Sequence, residues 1–494
     1  MASNLHFLII PVMCPGHLIP MMEMAKLIAQ QSVTVTIVVT PRNAQRYGSV
    51  LDRAIASGLP IRILKLRFPA SSESGLPEEC ESMDDLPSLS LFKNFMDASA
   101  KLQQPLEQVF GELKPKPSCI IADKNMIWTS DVARKNEIPW VVFDGTSCFT
   151  QLAIHKLWLS KIHEKMADSE PFVLPGLPDS IVMTKTQLPG IFNSGNSAKA
   201  KEMKIAKAHI IAAESGAYGV LINSFEELET RYIDEYRKVK EGKVWCIGPF
   251  SQYNKNNLDK AQRGNKASIN DHVFMKWLDS QHPGSVIYAC LGSLTRQPPA
   301  HFTELALGLE DSGFPFILVV KGGGGGEEIE KWLVEDGFEE RVKGRGVLVR
   351  GWAPQVLILS HPAVGAFLTH CGWNSTLEGF SAGVPMITWP QFAEQFFNER
   401  LAVQVVGTGV AVGAKRVVHV GEEDTFGIQV KREDVSKVAK IVMDKGREGE
   451  ERRQKAKYFK EMAEKAIEEE GSSQLNLKLF IEDIMLHTNK GLAG

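Results

Sequence analysis

The chain has 494 residues, 44% hydrophobic and 23% charged, with a formal net charge of -3 and a pI near 6.5. That length exceeds one comfortable core and predicts two domains of roughly 200 to 250 residues each. The charge balance excludes the broad basic field of a nucleic-acid or anionic-membrane binder, although local groups can still hold a small anion. In chain order, the apolar run Leu5 to Val12 is too short to span a bilayer and reads as a buried first strand, His6–Val12. A helix is predicted over Pro20 to Gln30, with Pro20 in an early position where its missing N–H costs nothing. Thr34–Thr40, Ile61–Leu66, Cys119–Ala122, Trp140–Phe143 and Val220–Asn223 follow as strands apolar enough for a doubly covered parallel sheet. This alternation argues for an α/β doubly wound domain over 1–250.

The polar run from Tyr253 to Lys266 breaks the pattern, so 251–272 is predicted as an interdomain linker. A second sheet is expected from Ser285–Leu291, Phe316–Val320, Gly346–Val349, Gly365–Leu368 and Val384–Thr388, within a domain over 273–470. The stretch Arg447 to Glu470 is helical, with Glu451/Lys455 and Glu461/Lys465 spaced i,i+4. Gly471 suits a stop, and Ser472 or Ser473 an N-cap for a last apolar helix over 471–494 that needs a surface such as the first domain. No stretch reaches about 18 uninterrupted apolar residues, so no membrane anchor is expected.

Two constellations carry chemistry. Pro15-Gly16-His17 follows the first strand, and residues past a strand's carboxyl end face the crevice of an open α/β sheet. A histidine there titrates near neutrality and can take a proton from a hydroxyl. Asp123 follows Cys119–Ala122 on the same edge and can bond the second ring nitrogen, fixing the tautomer. Position alone also allows His17 to be an ordinary partly buried residue. The second constellation is Trp352-Ala-Pro-Gln355, His370-Cys-Gly-Trp-Asn-Ser375-Thr-Leu-Glu378 and Glu394-Gln395. A strand over Gly365–Thr369 and a helix from Ser375 onward would leave free N–H groups beside Gly372, a natural phosphate seat. Ser375 and Glu378 alone also fit a simple capping box.

The stretch from Trp352 to Gln395, 44 positions in all, resembles the signature box of plant secondary-product UDP-glycosyltransferases, many fixed residues recurring at fixed spacing. The run Ile287 to Ser293 looks like the branch acting on flavonoids and triterpenoids. The resemblance implies a GT-B fold, two Rossmann-like domains facing a cleft, with the donor in the second. It implies that Trp352 stacks on uracil, that Ala353 and Gln355 complete the nucleoside contacts, and that Glu378 accepts from the ribose. His370, Gly372, Asn374, Ser375 and Ser293 would hold the diphosphate, and Trp373, Glu394 and Gln395 the sugar. It makes His17 the general base and Asp123 its partner, although Lys124-Asn125 departs from the usual apolar residues there. Thr146 would touch the sugar or leaving group. A closing Gln is associated with glucose, so UDP-glucose is the expected donor, Glu394 replacing the commoner Asp.

The acceptor would be a small hydrophobic hydroxylated molecule, a flavonoid, triterpenoid or steroid, near Met13, Cys14, Phe92, Ile127, Phe149, Ile191 and Phe392. The reaction would invert the anomeric centre and use no metal or other cofactor. Other UDP-sugars (rhamnose, xylose, glucuronic acid) and a non-catalytic UDP-sugar-binding protein remain the alternatives. The run Gly322–Gly326 lacks the Lys-Ser/Thr of a P-loop and reads as a turn, and no GxGxxG follows the first strand. The seven cysteines form no CxxC, which argues against a disulfide framework or zinc site and favours a cytoplasmic protein, expected as a monomer.

Overall fold

A computed structural model describes residues 5–193, 198–254, 260–261, 263–264, 271–295, 298–321, 326–419 and 427–493. The greater part of the predicted linker, and 322–325 of the glycine run, lie outside these residues. The described residues form fifteen strands. The first sheet takes β1 (His6–Ile10), β2 (Thr34–Val39), β3 (Ile61–Lys65), β4 (Cys119–Asp123), β5 (Trp140–Asp144), β8 (Gly219–Ile222) and β9 (Val244–Cys246). Between β5 and β8 a small antiparallel hairpin joins β6 (Phe172–Val173) to β7 (Val182–Met183). The second sheet takes β10 (Val286–Cys290), β11 (Phe316–Val320), β12 (Gly346–Arg350), β13 (Val364–Thr369), β14 (Met386–Thr388) and β15 (Gly409–Ala411).

Both sheets are parallel throughout, with orders β3-β2-β1-β4-β5-β8-β9 and β12-β11-β10-β13-β14-β15. Each reverses direction once, between β1 and β4 and between β10 and β13, so each has a topological switch point where doubly wound folds bind ligands. β1, β4 and β5 are buried at every residue, as strands covered by helices on both faces must be.

Several elements differ from the sequence prediction. The first helix runs Pro15–Gln30, because Pro15 takes the first helical position and leaves Pro20 inside. β9, β15 and the hairpin strands are two or three residues long, too short for a periodic signal. The Arg447–Ala466 helix pairs Glu451 with Arg447 at 2.8 Å and Glu461 with Lys457 at 3.9 Å, both i,i+4 but in another register.

The last helix, Ser472–Ala493, lies on the first domain. Ser473 Oγ donates to the Gly248 carbonyl and Asn476 Nδ2 to that of Cys246 at 3.1 Å. Phe480 is fully buried, its ring 5.6 Å from that of Phe7 and 5.2 Å from that of Trp245. Among the described residues no helix is long and apolar enough to cross a membrane.

Candidate active site

Both switch points carry the chemistry singled out in the sequence. His17 stands in the first turn of the helix after β1, and Asp123 is the last residue of β4, the adjacent strand. His17 Nδ1 lies 2.6 Å from Asp123 Oδ2, with the imidazole side chain 29% exposed and the carboxylate 1%. Burial disfavours the imidazolium, but the charge and hydrogen bond of Asp123 outweigh it and raise the His17 pKa above 6.5. Burial likewise works against the carboxylate, yet His17 holds Asp123 below its ordinary range.

The two residues that depart from the usual pattern have defined work. Asn125 donates to Asp123 Oδ1 twice, from its backbone N–H at 2.9 Å and from Nδ2 at 2.8 Å. Asp123 is thereby fixed through one oxygen and presents the other to His17. Lys124 turns away to Asp144, with contacts of 3.0 and 3.1 Å. Asp144 Oδ1 also accepts from the Thr146 N–H at 3.0 Å and its hydroxyl at 2.8 Å, so Thr146 is held at the end of β5.

At the second switch point the helix runs Trp373–Ala382 with Gly372 as its N-cap. It begins two residues before Ser375, so Ser375 and Glu378 form no capping box; both instead accept from Gln355 Nε2, at 3.0 and 2.7 Å. The first turn's N–H groups have no acceptor within the helix and are available to an anion. Cys371 adopts a left-handed φ of 63°, which turns the chain from β13 into that helix. His370 is clamped between two glycines: a Cβ on Gly292 or on Gly372 would each lie 2.4 Å from the ring's Nε2. Burial, helped by the charge of Lys321, lowers its pKa to about 4, so the ring is neutral near pH 7. Its Nδ1 is buried without a partner among the described residues, as is Trp352 Nε1. Ser293 follows β10 on the same edge, and its carbonyl accepts from Lys321.

The two domains meet at these points. Asn374 Nδ2 donates to the carbonyl of Gly16 at 2.6 Å, one residue from His17. That carbonyl is free for a covalent reason: its helical partner would be residue 20, and Pro20 has no N–H. Trp373 is 2% exposed and donates Nε1 to the Asn223 carbonyl at 2.8 Å, so its indole is committed to the domain interface. Gln395 Oε1 accepts from the N–H groups of Gln391 at 2.8 Å and Phe392 at 3.1 Å, which orients its amide. Burial raises the Glu394 pKa, and the charges of Lys124 and His17 reach it. Ala353 is buried beside Trp352.

The acceptor candidates scatter more widely. Met13 and Cys14 are buried just before His17, and burial pushes the Cys14 thiol up to about 12. Ile127, Ile191 and Phe392 are half-buried, and Phe92 is 44% exposed. Phe149 corrects its expectation: it has no exposed surface and packs edge-on to Tyr232 at 4.9 Å, so it is core. Sequence reasoning missed Asn125 as an orienting residue, Asn223 as an interface acceptor, and Arg263, which pairs with both Glu23 and Glu378. A lone Glu23 within the apolar run Met21 to Ala25 was the one available signal.

The chain matches UDP-glycosyltransferase 73E1 of Stevia rebaudiana at 48% identity over 486 residues, 98% of this chain and 97% of the relative. The chain belongs to the plant UDP-glycosyltransferases. The family described as "UDP-glucoronosyl and UDP-glucosyl transferase" matches residues 262–433, which include the stretch Trp352 to Gln395. Glycyrrhiza uralensis UGT73P12, solved with glycyrrhetinic acid 3-O-monoglucuronide, superposes with a TM-score of 0.91 at 38% identity, covering 99% of this chain and 98% of that one. Arabidopsis thaliana UGT89C1, solved with UDP-L-rhamnose, gives 0.74 at 28% identity, covering 98% and 100%. The fold is accordingly GT-B, two Rossmann-like domains, and this UDP-glycosyltransferase uses UDP-sugars on small molecules.

Proposed function

We propose that the enzyme transfers glucose from UDP-glucose to a hydroxyl of a small hydrophobic secondary metabolite, a flavonoid, triterpenoid or steroid, with inversion to a β-glucoside. The observation that carries the reading is the 2.6 Å bond from Asn374 to the Gly16 carbonyl. It brings the base-bearing helix against the anion-binding start of the donor helix, the adjacency a direct displacement requires.

In that reaction His17 Nε2 takes the acceptor's proton while Asp123 stabilises the imidazolium that forms. The acceptor oxygen attacks the anomeric carbon and the bond to the diphosphate oxygen breaks. Charge develops on UDP, where the N–H groups at Trp373, Asn374 and Ser375 and the neutral His370 can donate to it. No metal is required by this scheme, and chelator should leave the rate unchanged. Trp352 would stack on uracil, and Gln355, itself bonded to Glu378, would complete the nucleoside contacts. Gln395, with its amide oriented by Gln391 and Phe392, and Glu394 would face the sugar hydroxyls.

A triterpenoid acceptor is favoured within this class by the likeness to UGT73P12, and the UDP-L-rhamnose bound to UGT89C1 keeps the other donors as the second reading. The unpaired cysteines support a cytoplasmic location, and we take the enzyme to act as a monomer. Mass spectrometry of products from a phenolic and terpenoid panel, with UDP-glucose, UDP-rhamnose, UDP-xylose and UDP-glucuronic acid in parallel, tests the proposal. A dominant glucoside is the expected result. Transfer of another sugar at more than tenfold higher kcat/KM would replace glucose, and release of free sugar alone would remove the acceptor assignment.

A further inference from the structure

Arg263 and Gly264 lie between the two domain sheets in sequence, yet they pack into the nucleoside half of the donor site. Arg263 places Nε and Nη2 on the carboxylate of Glu23, at 2.7 and 3.0 Å, and Nη1 on Glu378 Oε1. Glu23 and Glu378 are buried, each side chain 5% exposed, and Arg263 is nearly so at 11%. Beside them the Gly264 backbone packs against the six-membered ring of Trp352, so closely that a Cβ there would sit 2.2 Å from Cζ2. Gly264 also has a φ of +104°, a second reason for glycine at this position. The pair therefore touches both the indole and the carboxylate that the proposed function assigns to uracil and ribose.

We propose that Arg263-Gly264 is a built-in competitor for the nucleoside, and that Glu23 is the alternative partner that lets it withdraw. The geometry is suited to an exchange. Arg263 is bidentate on Glu23 and single on Glu378, so it can leave Glu378 without losing its anchor. Gln355 keeps hold of Glu378 Oε2 at 2.7 Å, which leaves Oε1 as the oxygen surrendered to a ribose hydroxyl. Return of the guanidinium to Oε1 would then favour release of UDP, and product release limits turnover in many enzymes. Glu23 lies on the same helix as His17, so the exchange also touches the helix that carries the base.

The inference rests on the donor-site reading above, and calorimetric titration of the full chain with UDP separates the two. Absence of UDP binding to the wild type would remove the donor reading and the inference with it. Given binding, Arg263→Gln should tighten UDP by about tenfold, the worth of one charged hydrogen bond no longer competing. Glu23→Gln should weaken it, because Arg263 then falls wholly to Glu378, and should have no effect in the Arg263→Gln background. A purely structural Arg263 would lower the melting temperature without that non-additive pattern. If Arg263→Gln fails to fold, Arg263→Lys, which keeps the charge and loses the fork, should still tighten UDP several-fold. Unchanged or weaker UDP binding in the folded Arg263 variants overturns the inference and leaves the donor reading standing.

Discussion

Replacing Asp123 by Asn leaves its shape and removes its charge, and the surroundings dictate how the new amide must sit. Asn125 presents two donors to Oδ1, so the amide oxygen takes that place and the NH₂ faces His17 Nδ1. A donor there forces Nδ1 to accept and moves the ring proton to Nε2, the atom that has to take the acceptor's proton. The wrong tautomer should lower kcat by about 10² to 10⁴. Loss of the 2.6 Å charge-assisted bond also removes about 1.5–3 kcal/mol from the imidazolium. That corresponds to about one to two pKa units.

The sign follows from the direction of the native shift. Asp123 raises the His17 pKa above 6.5, so the free base, and hence kcat/KM, is lost as pH falls through that raised value. In Asp123→Asn the residual activity should therefore lose its acid limb at a pH lower by about one to two units. Initial rates of glucoside formation from pH 5 to 9, at subsaturating acceptor, measure both effects. A variant within tenfold of wild type with an unmoved acid limb would show that Asp123 sets neither the tautomer nor the charge of His17.

Three other outcomes follow. Pro20→Ala supplies an N–H that competes with Asn374 for the Gly16 carbonyl, so transfer should slow several-fold while the melting temperature holds or rises; steady-state kinetics with thermal melts decide it. Trp352→Ala should raise the calorimetric Kd for UDP by about 5- to 150-fold, the worth of one base stack. Phe480→Ala should cost about 3–5 kcal/mol in urea unfolding of the first domain, since its ring fills the space between Phe7 and Trp245, with UDP affinity kept.

The parts of the fold that repeat or bury deeply were legible in the sequence. β1, β4, β5 and β11 are apolar runs broken only at an end, by His6, Asp123 and Asp144, and their alternation with helices leaves few topologies open. Short edge strands such as β9 are stabilised by pairing and not by their own pattern. The stretch Trp352 to Gln395 stands out in the sequence because its residues sit within 44 positions of one another, and His17 because it follows a strand. What could not be read were partners distant in the chain: the Gly16 carbonyl, left open by Pro20, with Asn374, Asn223 with Trp373, and Arg263 with Glu23. Each is an ordinary polar, proline or charged residue until the fold closes. Phe149 was misread for the converse reason, since an aromatic after a site strand packs equally well inward.

In the proposed reaction donor binding and proton removal are separate tasks, held by the Trp373–Ala382 helix and by His17. His17→Ala tests it most directly, with UDP binding and glucoside formation measured on the same preparation. Retained UDP affinity with transfer lowered by about 10² to 10⁴ is the expected result. Near-wild-type turnover by His17→Ala would contradict it.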